Sequence, residues 1–409
     1  MRNIIRISFL VILLLNSGNL LAFEPLSWVE LGPDNTVIAR HIDSSSKCPT
    51  IKINGLEQAM QARAAATKNY PTISCETVLP AKVKTVEILG QKLALPKKDP
   101  TRLVIIGDTG CRLKLGAPAQ ACNDPHQWPF AKIAALAASF HPDLVIHVGD
   151  YHYREMPCPF WDHGCFGSPY GYNWATWQAD FFDPARPLLT AAPWVMVRGN
   201  HEICARAGEG WFRYLDPYAY PRTCEKFTPL YSVPIGNITL YVIDSSSAED
   251  TSAPAELVTV FTTYYDAIRH SRATTIWIAT HRPLWTALFP SRAMNSTLQV
   301  AAGNNFAPSL QLLLAGHVHD FEAMNFANRP AQVIIGNSGT NLERNVIKHD
   351  LKGIDLAGQS ITQGLGIQEF GYLTLEKQGS SWQGQARDDN GKVLANCQLA
   401  GREFVCKTI

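Results

Sequence analysis

The sequence predicts an α/β fold with a largely parallel sheet, preceded by a small, mainly β region. Short, nearly continuous apolar runs rich in β-branched residues recur from residue 102 onward, which is typical of strands covered on both faces. The segment PFAKIAALAASF at 129–140 lies between the first two runs and predicts an amphipathic helix, which gives a β-α-β unit. Residues 23–97 differ, because short alternating segments there are separated by polar turns.

These patterns divide the chain into four parts. Residues 1–22 are a predicted signal peptide, and residues 23–97 are a predicted small, mainly β N-terminal domain that ends at a linker rich in proline and lysine. Residues 100–378 form the main α/β domain, and residues 379–409 read as further strands that complete it.

The first 22 residues have the features of a secretory signal. Arg2 and Arg6 form a basic start, residues 7–15 are an apolar stretch, and the sequence ending at Ala22 is a plausible cleavage site. The stretch is too short to span a membrane, and no later segment approaches that length. The alternative to a signal peptide at residues 1–22 is a buried N-terminal helix, which we consider the weaker interpretation. We therefore expect an exported protein, secreted or periplasmic, with no membrane span.

The ten cysteines agree with an oxidising compartment, because their number is even and all of them follow the predicted signal peptide. Their connectivity cannot be deduced from sequence, and we favour nearest-neighbour pairing that closes local loops. The expected pairs are Cys48–Cys75, Cys111–Cys122, Cys158–Cys165, Cys204–Cys224 and Cys397–Cys406.

Composition narrows the class of partner. The chain is 46% hydrophobic and 17% charged, as is typical of a globular protein. Its net charge is +1 and it contains no long basic run, so nucleic-acid binding has no electrostatic support. A long segment at 154–190 is dense in aromatic residues, proline and glycine, and it either shapes a cleft or packs its own aromatic side chains on the surface.

Polar side chains recur where the apolar runs end. Because ligands of an open α/β sheet bind beyond the carboxyl ends of its strands, we expect these side chains to converge. Carboxylate, amide and imidazole groups bind metals such as iron, zinc and manganese. They are too many for one ion and suit two ions about 3.5–4 Å apart. The residues at these ends are Asp108, Asp150, Asn200 with His201, Asp244, His281, and His317 with His319.

Five motifs occur in a fixed order, and together they resemble the calcineurin-like metallophosphoesterases. They are Gly107-Asp108-Thr109-Gly110, Gly149-Asp150-Tyr151-His152-Tyr153, Gly199-Asn200-His201-Glu202, His281, and Gly316-His317-Val318-His319. The resemblance implies a sandwich of two mixed sheets between helical layers, an αββα arrangement. Most members of that superfamily begin with Asp-x-His, both being ligands, but Gly110 stands here in place of the histidine.

Tyr153 is the residue we expect to replace the missing ligand. The GDxxY arrangement, with GDxG before it, resembles the purple acid phosphatase branch, in which the tyrosine phenolate binds a ferric ion. A hard trivalent cation favours an anionic phenolate. The alternative is an aromatic side chain that packs near the site.

The resemblance implies a role for each matched residue. The ferric ion would be held by Asp108, Asp150, Tyr153 and His319. Asp150 would bridge to a second metal, Fe, Zn or Mn(II), which Asn200, His281 and His317 would also hold. His201 would lie over the reacting phosphate. Glu202, His152 and Arg282 are candidates for supporting the ligands or contacting the substrate.

The expected activity is therefore hydrolysis of phosphate monoesters, of the acid phosphatase kind, by attack of a metal-bound hydroxide while His201 protonates the leaving oxygen. The substrate would be a small phosphate ester. Two alternatives remain open: the same site could act on diesters such as nucleotides or phospholipid head groups, or the protein could be a secreted binding module that keeps the fold without the chemistry. Activity on aryl monoesters and diesters discriminates among them.

Overall fold

The structure is a computed structural model that describes residues 23–221, 223–288, 295–344 and 349–409. The predicted signal peptide at 1–22 lies outside the described residues. No helix in these ranges combines the length and apolar character that crossing a membrane requires.

Strands from the N-terminal region come first in the chain. They are β1 (Leu26–Leu31), β2 (Val37–Asp43), β3 (Thr50–Ile53), β4 (Leu56–Ala59), β5 (Gln61–Ala64), β6 (Ile73–Val78), β7 (Val86–Ile88) and β8 (Gln91–Lys92).

Strands of the main α/β region follow. They are β9 (Arg102–Ile106), β10 (Leu144–His147), β11 (Trp194–Met196), β12 (Tyr231–Ile235), β13 (Ile238–Ile243), β14 (Ile276–Thr280), β15 (Leu310–Ala315), β16 (Phe321–Phe326), β17 (Ala331–Ile335), β18 (His349–Asp350), β19 (Asp355–Leu356), β20 (Gln359–Ile367), β21 (Gly371–Gln378), β22 (Ser381–Asp388), β23 (Val393–Ala400) and β24 (Glu403–Thr408).

Within the described ranges, the α-helices follow β9, and a 3₁₀ turn, Pro33–Asn35, precedes it. The α-helices are α1 (Phe130–Ser139), α2 (Trp174–Trp177), α3 (Asp183–Leu189), α4 (Gly208–Tyr214), α5 (Ala255–Arg269) and α6 (Ser296–Ala302). A π-helical turn, Gln178–Phe182, joins α2 to α3, and Asn200–Glu202 form a 3₁₀ turn. The helix predicted over 129–140 is α1.

Two large sheets face each other. Among the described residues, the first sheet has eleven strands in the order β24-β23-β22-β21-β9-β10-β11-β1-β2-β6-β5. The second has the order β12-β13-β14-β15-β17-β16-β20-β18, with β19 paired to β20. The neighbours β1, β11, β10 and β9 of the first sheet are parallel, as are β13, β14, β15 and β17 of the second. Pairs such as β21–β22 in the first sheet and β16–β17 in the second are antiparallel. Both sheets are therefore mixed.

The core lies between these sheets. Ile105 and Ile146 of the first sheet belong to the same buried cluster as Leu240, Trp277 and Leu312 of the second. The outer face of the first sheet packs against α1, α3 and α4, and the outer face of the second packs against α5 and α6. The predicted αββα sandwich of two mixed sheets is confirmed.

The N-terminal region is mainly β, as predicted, but its strands are shared with the main fold. Strand β1 pairs in parallel with β11, so β1, β2, β6 and β5 extend the first sheet. Strands β4, β3, β7 and β8 form a separate small sheet, whose Ile51 and Val86 belong to a buried cluster shared with β1, β2 and β6. The limits at 97, 100 and 378 stay predictions.

All ten cysteines form disulfides, in the five pairs expected from their order in the chain. The bonds join Cys48 to Cys75, Cys111 to Cys122, Cys158 to Cys165, Cys204 to Cys224, and Cys397 to Cys406. Each bond spans between 7 and 27 residues of sequence, so all are local staples.

Only one half of the aromatic segment at 154–190 matches an expectation, that of a surface loop that packs its own aromatic side chains, since Phe160 and Trp161 pack on each other. Trp177 and Phe181 are buried in the outer layer of the first sheet, whereas Phe160, Trp161 and Phe166 are exposed. Its helical half is thus part of the core, and its disulfide-tied half lies on the surface.

Candidate metal centre

The strand ends bring the predicted ligands together at one edge of the sandwich. Asp108 follows β9, Asp150 follows β10, Asn200 follows β11, His281 follows β14 and His317 follows β15. The Asp108 carboxylate accepts a hydrogen bond of 2.9 Å from the backbone N–H of His317, which joins the two sheets at this point.

Three of these residues have strained backbones. Asp108, Asp150 and His317 have φ values of 55°, 59° and 71°, in the left-handed region that non-glycine residues rarely adopt. Such strain persists only where the surrounding structure imposes it, and it concentrates at functional sites. The strand ends are therefore shaped to aim these side chains inward.

The hydroxyl of Tyr153 is the meeting point of what we call the first side, formed by Asp108, Tyr153 and His319. It lies 2.9 Å from Asp108 Oδ1, 2.8 Å from Asp150 Oδ2 and 3.0 Å from His319 Nε2. His319 Nδ1 donates to the Asn341 carbonyl at 2.9 Å, so Nε2 is the ring atom that faces the other three.

Burial raises the pKa of Tyr153 well above its usual value, and the carboxylates of Asp108 and Asp150 raise it further. A Tyr153 phenolate would lie beside three other negative or electron-rich groups, the carboxylates of Asp108 and Asp150 and the imidazole of His319. Only a strongly charged cation among these atoms would stabilise it.

Gly110 is explained by the position of Tyr153. A Cβ atom at residue 110 would lie 2.7 Å from the Tyr151 carbonyl oxygen, 2.9 Å from the Tyr153 nitrogen and 3.0 Å from the Tyr153 ring. The tyrosine thus occupies the space that a histidine at 110 would need. A histidine ligand at position 110 and the tyrosine ligand at 153 therefore exclude each other.

The second side is formed by Asn200, His281 and His317. His281 Nε2 lies 3.0 Å from Asn200 Oδ1 and 3.2 Å from Asp150 Oδ2. Its Nδ1 donates to the Val148 carbonyl at 2.9 Å. One ligand atom each of Asp150, His281 and His317 lie within 4.8 Å of one another. Asp150 therefore contacts both sides, as a bridging carboxylate must.

His317 is oriented from outside the motifs, by a charged pair. Its Nε2 lies 3.2 Å from Asp250 Oδ2 and 3.0 Å from an Arg282 nitrogen, and Arg282 also forms an ion pair with Asp250. Nδ1 is then the ring atom left to face Asp150. Sequence reasoning included Arg282 but missed Asp250, which lies in the loop after β13 and belongs to no motif.

His201 lies over the centre. Its backbone N–H donates to Asp150 Oδ1 at 2.8 Å, and its Nδ1 lies 3.0 Å from the His152 carbonyl and 3.2 Å from Glu155 Oε1. Arg206 pairs with Glu155 and lies against the ring. Burial lowers the pKa of His201 to about 4, although the Asp150 and Glu155 carboxylates act in the opposite direction. Glu155 and Arg206 were not predicted.

Glu202 acts on the backbone rather than on the centre itself. Its carboxylate accepts hydrogen bonds from the N–H groups of Asp150, Tyr151, His152 and Gly199, at 2.9 to 3.2 Å. It thereby fixes the turn that carries Asp150.

His152 does not line the cleft, so the substrate contact considered for its side chain has no support from its position. The imidazole is buried, with Nε2 at 3.1 Å from the Gly171 carbonyl and the ring 5.8 Å from that of Trp177. Only its backbone carbonyl reaches towards the site, where it contacts His201.

Asp180, in the π-helical turn, is a second residue that sequence reasoning missed. It accepts hydrogen bonds from the backbone N–H groups of Cys111, Tyr153 and Arg154, and it pairs with the Arg154 side chain at 2.6 Å. It therefore ties the loop after β9 to the loop after β10. A lone aspartate among aromatic residues gave no sequence signal of this role.

The donor set fits two metal ions. Burial and the adjacent charge of Asp150 raise the pKa of Asp108 well above its usual value, so a cation between these carboxylates would offset their repulsion. Glycines cradle the carboxylates closely: a Cβ at Gly316 would collide with the Asp108 side chain, and one at Gly199 with Asp150. Carboxylate, phenol, amide and imidazole together suit iron, zinc or manganese.

A cleft of about 180 Å³ opens over this centre. Its lining combines the proposed ligands with basic residues from the loop after β9. The lining residues are Arg112, Lys114, Asp150, Tyr153, Asn200, His201, Leu288, His317, Val318, His319 and Glu343.

Comparison with known proteins agrees with this architecture. Purple acid phosphatase PPD1 from yellow lupin (Lupinus luteus) seeds is similar in fold, with a TM-score of 0.57 and 13% identity over 94% of this chain and 74% of that one. PhoD is similar with a TM-score of 0.57 and 11% identity, over 94% of this chain and 91% of that one. No curated protein matches the chain by sequence.

The family is shown by the sequence match itself. Residues 101–321, more than half of the chain, match the calcineurin-like phosphoesterase family. This range begins one residue before β9 and ends just after His319, so it contains the strand ends and all of the proposed ligands. The chain belongs to the calcineurin-like phosphoesterase family and is a phosphoric ester hydrolase.

Proposed function

We propose that the protein is an exported phosphatase that hydrolyses phosphate monoesters at a dinuclear metal centre. The observation that carries the proposal is the position of the Tyr153 hydroxyl, which lies within 3.0 Å of Asp108, Asp150 and His319. Gly110 has no side chain that could act as a ligand, and Tyr153 would take that role. This arrangement is the one expected of a purple acid phosphatase-like site.

The two metals would have separate sets of ligands that share Asp150. Asp108, Asp150, Tyr153 and His319 would hold a ferric ion. Asp150, Asn200, His281 and His317 would hold Fe, Zn or Mn in the divalent state. When bound, the ions would neutralise phosphate charge and activate a water molecule.

His201 would deliver the proton to the leaving oxygen. Its Nδ1 contacts the His152 carbonyl and Glu155. Nε2, which lies 2.8 Å from an Arg206 nitrogen and 3.8 Å from Asp150 Oδ2, would be the ring atom that serves the leaving oxygen. A positioned imidazole of this kind contributes to catalysis when it is within hydrogen-bond reach of the leaving group. Arg206 and Glu155 would keep the ring in place.

The size of the cleft favours monoesters over diesters. Its volume of about 180 Å³ is below the ~300–1,000 Å³ of common ligand pockets. A phosphate with one small substituent would fit such a space, which supports a small monoester as the substrate. Diester hydrolysis at the same site is the alternative.

Export is supported by the disulfides. Five bonds that engage all ten cysteines fit an oxidising compartment, and the predicted signal peptide at 1–22 would direct the chain there. We propose a secreted or periplasmic location.

The test is turnover of an aryl monophosphate against an aryl phosphodiester by protein reconstituted with iron and zinc. We expect a higher kcat/KM for the monoester, and a steep loss in His201→Ala but not in His126→Ala, a histidine exposed on the surface. Preference for the diester would transfer the proposal to the alternative substrate class. Negligible turnover of both esters with two metals bound would instead indicate a binding protein.

A further inference from the structure

We propose that Arg112 and Lys114 form an anion subsite beside the metal centre, which takes a second phosphate group carried on the leaving group of the substrate. The inference deepens the proposed function and rests on it, because it names the substrate class as small bisphosphorylated esters.

The local backbone aims both side chains at the cleft. Leu113, between them, is buried and forms a parallel bridge with Arg154; its N–H donates to the Tyr153 carbonyl at 3.1 Å and its carbonyl accepts from Glu155 at 2.9 Å. Neighbours of a residue held in extended conformation point to the opposite face. Arg112 and Lys114 accordingly both line the cleft.

The loop that carries them is anchored where this short extended segment begins. The Cys111–Cys122 disulfide closes the loop, and the backbone N–H groups of Cys111 and Arg112 donate to Asp180 and Gln120 at 3.0 and 2.8 Å. The two basic residues are thus presented by a fixed scaffold, as a binding site requires.

Their charges are uncompensated within the described part of the chain. The other two basic residues at the centre are paired, Arg206 with Glu155 and Arg282 with Asp250. Neither Arg112 nor Lys114 has a carboxylate within 4.0 Å in the described ranges, and the buried Arg112 Nε has no hydrogen-bond partner there. Glu343 also lines the cleft, but its carboxylate lies towards His319 Nδ1, at 3.7 Å.

The charges around Lys114 also favour binding of an anion. Burial lowers its pKa, and the positive charges of Arg206 and Arg112 lower it further, although Glu155 acts in the opposite direction. A guanidinium and an ammonium that face one space would be stabilised by a dianion between them.

The position of Lys114 assigns the subsite to the leaving group. Lys114 and Arg112 line the same cleft as His201, which is in contact with the Arg206–Glu155 pair. Since His201 faces the leaving oxygen, atoms beyond that oxygen extend past His201 towards Lys114 and Arg112. The competing interpretation is that both residues bind the reacting phosphate itself.

The experiment compares three substrates of equal chain length with the metal-loaded protein: propane-1,3-diol bisphosphate, 3-phosphooxypropanoate and 3-hydroxypropyl phosphate. We expect kcat/KM to rank in that order. In Arg112→Gln/Lys114→Gln, the preference for the bisphosphate should fall by about tenfold for each cation removed, since each charge-assisted contact contributes that much. Lys68→Gln, an exposed lysine far along the chain, should keep the wild-type preference.

Equal losses on all three substrates would overturn the subsite and assign the cations to the reacting phosphate. The subsite would also be overturned if the protein hydrolysed an aryl phosphate but showed no preference for the bisphosphate. That outcome would leave the proposed function intact. Calorimetric binding of propane-1,3-bisphosphonate against propylphosphonate gives a second readout that needs no turnover. If no ester is hydrolysed, the proposed function fails, and equal binding of these two phosphonates would overturn the subsite independently.

Discussion

The two sides of the metal centre are organised differently. On the first side, a single atom, the Tyr153 hydroxyl, contacts Asp108 and His319 directly, at 2.9 and 3.0 Å. On the second side, His317 is held from outside by the Asp250–Arg282 pair, which reaches it from the loop after β13 and from the residue that follows His281.

Under the proposed function, this difference would decide how each metal is selected. A tyrosine supplied by the motif would decide the identity and charge of the first ion, because phenolate suits a hard trivalent cation. An outer carboxylate would set the affinity for the second ion, because it fixes the ring orientation and basicity of a ligand histidine. A substitution on one side should therefore weaken the binding of one ion and leave the binding of the other unchanged.

The largest expected effect comes from His201, which lies beside Asp150 and belongs to neither side. His201→Ala should lower kcat by about 10²–10⁴-fold, the contribution of a general acid, while elemental analysis still finds both metals. Loss of either metal in this variant would mean that His201 supports the centre structurally.

Tyr153→Phe should break the first side. The hydroxyl would be gone, so any visible charge-transfer band should disappear, and affinity for the first ion should fall by more than the ~10–100-fold typical of an outer partner. The absorption spectrum and metal content measure this. A wild-type protein that is colourless with two metals bound would contradict a tyrosinate–ferric site.

Asp250→Asn should weaken the second side selectively. Affinity for the second ion should fall by about 10–100-fold, as measured by competition with a chelator, while the band from the first side is retained. Glu256→Gln, an exposed carboxylate paired with Lys226 on the surface, is the matched control. A parallel loss of both ions would show that the two sides are not independent.

Gly110→Ala should have the smallest effect and should sharpen the comparison. The new methyl group would press on the Tyr151 carbonyl and the Tyr153 ring, and such overpacking costs about 1–3 kcal/mol of unfolding free energy. The band should shift without being lost. Gly116→Ala, where a Cβ meets nothing within 4 Å but φ is +76°, should lower stability by about 1 kcal/mol and leave the band in place.

The strand ends and the polar side chains that follow them could be predicted from the amino-acid sequence. Parallel neighbours end at one edge of a sheet, so Asp108, Asp150 and Asn200 could be grouped from the sequence, as could His281 and His317. These two groups belong to different sheets, and the resemblance to the metallophosphoesterases is what joined them. Disulfide pairing was equally local, since each bond closes a short loop such as Cys158–Cys165.

The surroundings of these residues depend on tertiary packing and had no sequence signal. Asp180 and Asp250 reach the site from loops far along the chain, and the His152 ring turns towards Trp177 rather than the cleft. The pairing of β1 with β11 joined the N-terminal strands to the first sheet. Each of these outcomes depends on packing between segments distant in sequence, and the hydrophobic pattern of a single segment does not record its partner.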